Sequence, residues 1–381
     1  MASCSKHAQP EPEFEPWVND LSLPVPIQFG STSVNQSSNT KSLPIDDLDE
    51  LANGRTIGVF GISKDKASAS EGWDASDVLL DNLAATYDKS AKLISFVDGI
   101  QYYPLQSDKN YSFYGYYLRN ANTTAEETPA MTMTYDAYYA GVAFGSNDIL
   151  WAKAEANDYV DATSTTTYKG FNARYIRKIA IDNKKEAYMP KFTFAHKTAS
   201  IRIIAKGDDE AETDNTEYED IWIDSVTVYQ AYTKADLCVA HRTDPSKEGQ
   251  FVNPSTRGTI YLTGGQTNIK SLSKVAWTDV NGTHTGYHPT KEGTVIGNDV
   301  FLYPEPDKEY KVVASYRSTL GTSTSTYKYS FTTNKFPSGL KAGNRYVYTL
   351  LFHKTRSVDI TVEMQNWNET TGEELDTDPL S

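Results

Sequence analysis

The chain has little cysteine, no long apolar run and a shortage of positive charge. Its two cysteines in 381 residues, Cys4 and Cys238, cannot build a disulfide framework and supply too few thiolates for a zinc cluster. Cys4 lies in a polar tail and Cys238 in the apolar run ADLCVAH, where a thiol reads as a small buried hydrophobe. No apolar stretch approaches the roughly 20 residues needed to cross a bilayer as a helix. The net charge of −14, from 36 Lys and Arg against 50 Asp and Glu, with no clustered Lys and Arg, argues against a nucleic-acid partner. Long helical periodicity is nearly absent. So are the GxSxG elbow, a cysteine nucleophile in a matching constellation and a glycine loop that could cradle phosphate.

What is present is aromatic and β-branched. There are 26 Tyr, 14 Phe and 6 Trp, with many Thr and Val, which fit the pleated surface of strands. Apolar residues reach 39%, enough for packed cores, and the length points to two domains. The stretch Pro190 to Lys206 organises this reading. Phe192, Phe194 and His196 share one parity, while Ala199, Ile201, Ile203 and Ala205 share the other. The phase change predicts a bulge or bend, and the stretch is read as the first long strand of a second domain.

The chain opens Met1-Ala2-Ser3-Cys4, small residues before a cysteine, as at the end of a bacterial lipobox. Cys4 is therefore the expected lipid attachment site, a reading that requires a signal peptide ahead of it in the precursor. Gln9 to Pro16, acidic and proline-rich, reads as an extended spacer. Val25 to Val34 is the first expected strand and Arg55 to Ser63 the next. Trp73 to Asp81 is open between helix and strand. Leu83–Tyr87 and Lys92–Val97 form an expected hairpin, Tyr111 to Leu118 an aromatic strand, and Thr132–Tyr135 with Ile149–Ala152 an expected pair. Ala162 to Lys169 reads as a surface hairpin. Ile221 to Tyr229, apolar on both faces, reads as a central strand. Tyr346 to Phe352 and Val358 to Met364 close the fold by strict alternation, before an acidic tail.

Catalytic and metal chemistry find little support. The many carboxylates fall in turns and tails, and a glycosidase pair requires a separation that sequence does not show. His284 and His288 are four apart, but Gly286-Tyr287 between them breaks the helical context of a metal motif. Asp46 to Glu50 lacks the glycine and spacing of a calcium loop. No cofactor or metal is expected. Tyr102-Tyr103, Tyr114, Tyr116-Tyr117 and Tyr138-Tyr139 would stack on sugars if they shared an exposed face, and would be core otherwise, the favoured reading.

Taken in order, several pieces resemble the fimbrillin family of Bacteroidetes, pilus and pilus-like lipoproteins. They are Ala2-Ser3-Cys4, Thr40-Lys41, Gly58 to Ile62, Tyr103-Pro104, Tyr111 to Tyr114, Asp148 to Ala152, Phe192 to Ala199, Gly343 to Tyr348 and Trp367-Asn368. The resemblance implies an all-β protein of two tandem transthyretin-like β-sandwiches with Greek-key-type topology. The expected division is a lipid-anchor tether over 1–24, sandwiches over 25–188 and 189–370, and an acidic tail over 371–381. It also implies export as an outer-membrane lipoprotein, no enzymatic activity, and assembly with other pilus subunits by strand addition. In this scheme a protease removes Val25–Val34, with Lys41 or Arg55 as the processing position, and a strand from another subunit repairs the open edge. A host or microbial receptor or glycan is a further expected partner. Stalk, tip and anchor roles all remain open. A surface glycan-binding lipoprotein is the alternative, and a β-sandwich hydrolase a weaker third reading.

Overall fold

The structure, a computed structural model, describes residues 15–30, 33–34, 56–63, 72–88, 93–105, 109–120, 131–134, 136–145, 147–182, 189–207, 221–263, 275–279, 282–287, 289–297, 299–305, 308–320, 323–332, 339–353 and 357–366. Strands dominate, so the fold is all-β. Among the described residues two α-helices punctuate it: α1 (Pro16–Asn19) and α2 (Ala173–Ile181).

A seven-stranded sheet runs Ser33–Val34, Thr193–His196, Asn147–Ala154, Tyr111–Asn120, Thr56–Ser63, Val78–Asp88, Leu93–Phe96. All neighbours are antiparallel except Ser33–Val34, which lies parallel to Thr193–His196. Both faces of this sheet are buried, and strand alternation divides the side chains between two apolar clusters. Ile57, Val59, Phe113, Tyr117, Leu150 and Ala152 face α2 and the N-terminal segment. Phe60, Ile62, Tyr114, Tyr116 and Ile149 face the other way, into the larger cluster.

The six-stranded sheet is built on one 21-residue strand, Ile221–His241. One edge carries Lys311–Leu320 along its first half and Ala137–Ala143 along its second. The other edge carries Phe251–Thr263. Ala137–Ala143, from the first half of the chain, is thus paired to Lys234–His241 from the second. The last sheet joins Ala199–Gly207 in parallel to Asn344–Phe352, which pairs with Val358–Asn366 over nine residues, Asn344↔Asn366 to Phe352↔Val358.

Several expectations change against this. The phase change between His196 and Ala199 is a passage between sheets: Phe194 closes one cluster and Ala199 opens the other. The stretch is therefore two strands, not one. Thr132–Tyr135 and Ile149–Ala152 do not pair. Met131–Met133 pairs with Ala137–Ala143, and Asn147–Ala154 with Tyr111–Asn120. After a 3₁₀ turn at Ala75–Asp77, the ambiguous stretch from Trp73 becomes the strand Val78–Asp88. The expected hairpin to Leu93–Phe96 forms, as does the small one joining Tyr159–Val160 to Thr167–Tyr168. Helix α2 had no counterpart in the sequence reading. It starts at Asn172, whose side chain accepts from the Tyr175 backbone N–H at 2.9 Å, an ordinary N-cap.

Candidate functional site

The three residues expected to carry function, Cys4, Lys41 and Arg55, lie outside the described residues. The structure instead describes the segment that would be released by cleavage at either basic position, and the seat it occupies.

The seat is one face of the seven-stranded sheet together with α2. Trp17, Val18, Val25, Ile27 and Phe29 are all buried in it. Phe29 is the anchor. Its ring stacks on Phe192 (4.9 Å between centroids) and meets the edges of Phe113 at 5.4 Å and Phe96 at 5.9 Å. Main-chain attachment is sparse by comparison. Val25 and Pro26 pair with Tyr103 and Tyr102, the Ile27 N–H donates to Gln101 O (2.8 Å), and the Gly30 N–H donates to Pro190 O (2.8 Å). Val25–Val34 is thus not one continuous strand. It pairs at Val25–Pro26, crosses the core, and pairs again at Ser33–Val34.

Upstream, α1 and the turn after it lie on α2. The Asp20 carboxylate accepts from the Ser22 N–H (2.9 Å) and hydroxyl (2.6 Å), which fixes the turn and lowers the Asp20 pKa. This shape brings three carbonyl oxygens to the buried guanidinium of Arg177. Nε donates to Trp17 O at 3.0 Å, and Nη2 to Asp20 O at 3.2 Å and Leu23 O at 2.5 Å. Burial pulls the Arg177 pKa down, with nearby Asp20 opposing.

A second polar cluster ties the seven-stranded sheet to the six-stranded one. Glu248, buried in the loop between the two longest strands, accepts from the Tyr114 hydroxyl at 2.9 Å and the His241 N–H at 3.1 Å, and pairs with Lys153. Burial opposes the charge on Lys153, but hydrogen bonds to Glu155 and Glu248 outweigh it and its pKa is raised. Beside it the Trp151 indole donates to Val239 O at 2.9 Å. Its ring lies so close to Gly249 (φ +68°) that a Cβ there would come within 2.6 Å of it. Buried acid, base and phenol here are mutually satisfied, which makes a structural clamp.

The tyrosines do not form an exposed row. Tyr103, Tyr114, Tyr116, Tyr117 and Tyr138 are buried, and burial pushes the phenols of Tyr116 and Tyr138 up to about 12. Of that set, Tyr102 alone is exposed beyond a third, at 44%. His284 and His288 have no described side chains. Among the described residues no group of three or more His, Cys, Asp or Glu is placed to hold a metal. Cys238 is buried, its thiol pushed up to about 12 by that burial.

Sequence reasoning missed the Arg177 contact because its partners lie more than 150 positions away and are main-chain atoms. The available signal was an arginine inside the otherwise apolar face of RYIRKIAI.

A family model described as fimbrillin-like matches residues 46–367. Among solved structures, candidate cell adhesion proteins from Bacteroides uniformis and Bacteroides ovatus are each 15% identical to the chain. The first has a TM-score of 0.47 and covers 90% of this chain and 99% of its own. The second has a TM-score of 0.44, with 91% and 98% covered. The fimbrial anchor protein Mfa2 from Porphyromonas gingivalis is 9% identical, with a TM-score of 0.30, covering 92% of this chain and all of its own. No curated protein sequence matches the chain.

Proposed function

Because the chain belongs to the fimbrillin-like family, we propose that it is a structural or adhesive subunit of a cell-surface pilus. In this reading it is exported as a lipoprotein through Cys4, is processed at Lys41 or Arg55, and assembles by strand exchange with other subunits. The chain is not an enzyme. In this reading the seven-stranded sheet with its helix forms the core of one transthyretin-like sandwich, and the six-stranded and five-stranded sheets form that of the other.

The observation that carries the reading is the imbalance in the N-terminal segment. It contributes five buried apolar side chains to a core, yet its strand pairing is confined to Val25–Pro26 and Ser33–Val34. When a segment of this kind leaves, few ladder pairings break but the core it filled is opened. What remains is an apolar slot beside unpaired edges, the surface that strand addition repairs.

Limited trypsin digestion, with mass determination and a non-boiled gel, tests it. Cleavage at Lys41 or Arg55 followed by a ladder of oligomers is expected for a stalk subunit. A trimmed monomer indicates a tip role. Resistance at both positions refutes processing and leaves an anchor or the glycan-binding alternative.

A further inference from the structure

Cutting a chain severs one covalent link and leaves every other contact in place. The N-terminal segment keeps its buried side chains, its short pairings and the three carbonyl bonds to Arg177. The chemistry of those three bonds is unusual for a buried arginine. All the acceptors are main-chain carbonyls of Trp17, Asp20 and Leu23, and the Asp20 carboxylate is turned to Ser22 instead. Such a site recognises the path of a turn rather than the identity of its side chains. The planar fork of a guanidinium suits this, since its donors are fixed in direction and converging oxygens can be held together. A lysine ammonium is a single point charge on a flexible stem.

We propose that Arg177 is a clasp for a peptide turn, and that release of the N-terminal segment is a step separate from cleavage and slower than it. This rests on the reading that the segment is processed. Cleavage anywhere between Val34 and Thr56 leaves residues 15–30 bound, and the segment departs only when Trp17–Leu23 is displaced from the guanidinium. Two different parts of the segment then do different things. The run through Phe29 fills the core, and the turn on α2 governs how long it stays. Any segment that takes its place completely must present carbonyl oxygens to Arg177, or leave a buried cation without partners.

The test uses the full chain with a site for a sequence-specific protease placed within residues 42–54. After cutting, native mass spectrometry and gel filtration follow the N-terminal fragment. In the wild type it is expected to co-migrate with the body of the chain. With Arg177→Met its half-life on the body should fall about tenfold or more, and Arg177→Lys should lie between, since charged hydrogen bonds are lost in each to different degrees. Immediate dissociation from the wild type, or equal retention in Arg177→Met, overturns the proposal. The contribution can also be read with Arg177 intact. A synthetic 15–30 peptide with an ester in place of the Asp20–Leu21 amide has a weaker carbonyl acceptor at Asp20. It should displace the native fragment about threefold less well than the all-amide peptide, and equal displacement also overturns the clasp. Failure of trypsin to cut the ordinary chain at Lys41 or Arg55 would count against natural processing alone, because the engineered cut still reads the clasp.

Discussion

A chain lacking residues 1–30 should be unable to hold the unit around the seven-stranded sheet by itself. The deletion removes Trp17, Val18, Val25, Ile27 and Phe29, each less than a tenth exposed. At about 1.5–3 kcal/mol per buried side chain, the lost apolar burial is on the order of 10 kcal/mol, an upper figure because unfolded chains already bury some surface. Arg177 also loses three carbonyl partners, but the same deletion opens its guanidinium to water, so this loss adds only about 1 kcal/mol per bond at most. The whole stability of a domain is about 5–15 kcal/mol, so the deletion uses most or all of it. Equilibrium urea unfolding by circular dichroism, with light scattering for mass, provides the assay. The truncated chain should lack a native baseline for this unit at low concentration and should gain order on self-association or on addition of a 15–30 peptide. A monomer with an unchanged urea midpoint would refute the reasoning, since it would mean the segment lies on the core without supporting it.

Other outcomes follow from single positions. Phe29→Ala in the intact chain should cost about 3–5 kcal/mol, read as a lowered urea midpoint, whereas Leu21→Ala, at a side chain 73% exposed, should leave it unchanged. Glu248→Ala should cost about 1–3 kcal/mol by leaving the buried Tyr114 hydroxyl and His241 N–H without their acceptor, while Lys153 keeps Glu155, and Glu248→Gln should cost less in the same denaturation series. Gly249→Ala must tolerate both φ +68° and the Trp151 ring, so it should lower the melting temperature and perturb tryptophan fluorescence. The alkaline limit of stability has a defined sign. Tyr116 and Tyr138 are raised by burial from 10.0 to about 12, so their stabilising contribution is complete below pH 10 and is lost as pH climbs through about 12. Lys153, raised above 10.5, acts in the same direction. Tyrosinate absorbance and loss of β dichroism should therefore rise together in that window; ionisation of these phenols well before unfolding would contradict their burial.

Much of the local structure could be read from residue order. The alternation of Tyr346, Tyr348, Leu350 and Phe352 defines a strand with a buried face because the side-chain period in a strand is two, and all four are fully buried. The opposite face departs from simple exposure: Arg345 and Val347 are buried as well, with Arg345 paired to Asp299, which also holds Arg202. Helix α2 was illegible for another reason. It is only nine residues long, so the exposed Arg174 and the partly buried Lys178, four apart and opposite buried Tyr175, Ile176, Ile179 and Ala180, mark its period over barely two turns.

The amino-acid order by itself determined the class of the protein: all-β, acidic, poor in cysteine and without a nucleophile or phosphate loop. Those properties are local or compositional, and each residue carries its share regardless of its neighbours in space. Which strands meet was decided only by the tertiary structure. A strand shows its buried face in its own sequence but not the partner on its edge, so nothing in Ala137–Ala143 announces Lys234–His241. The same is true of the clasp. Arg177 and the carbonyls of Trp17, Asp20 and Leu23 are joined by the folding of α2 and the first turn onto one sheet, and main-chain carbonyls carry no sequence mark at all.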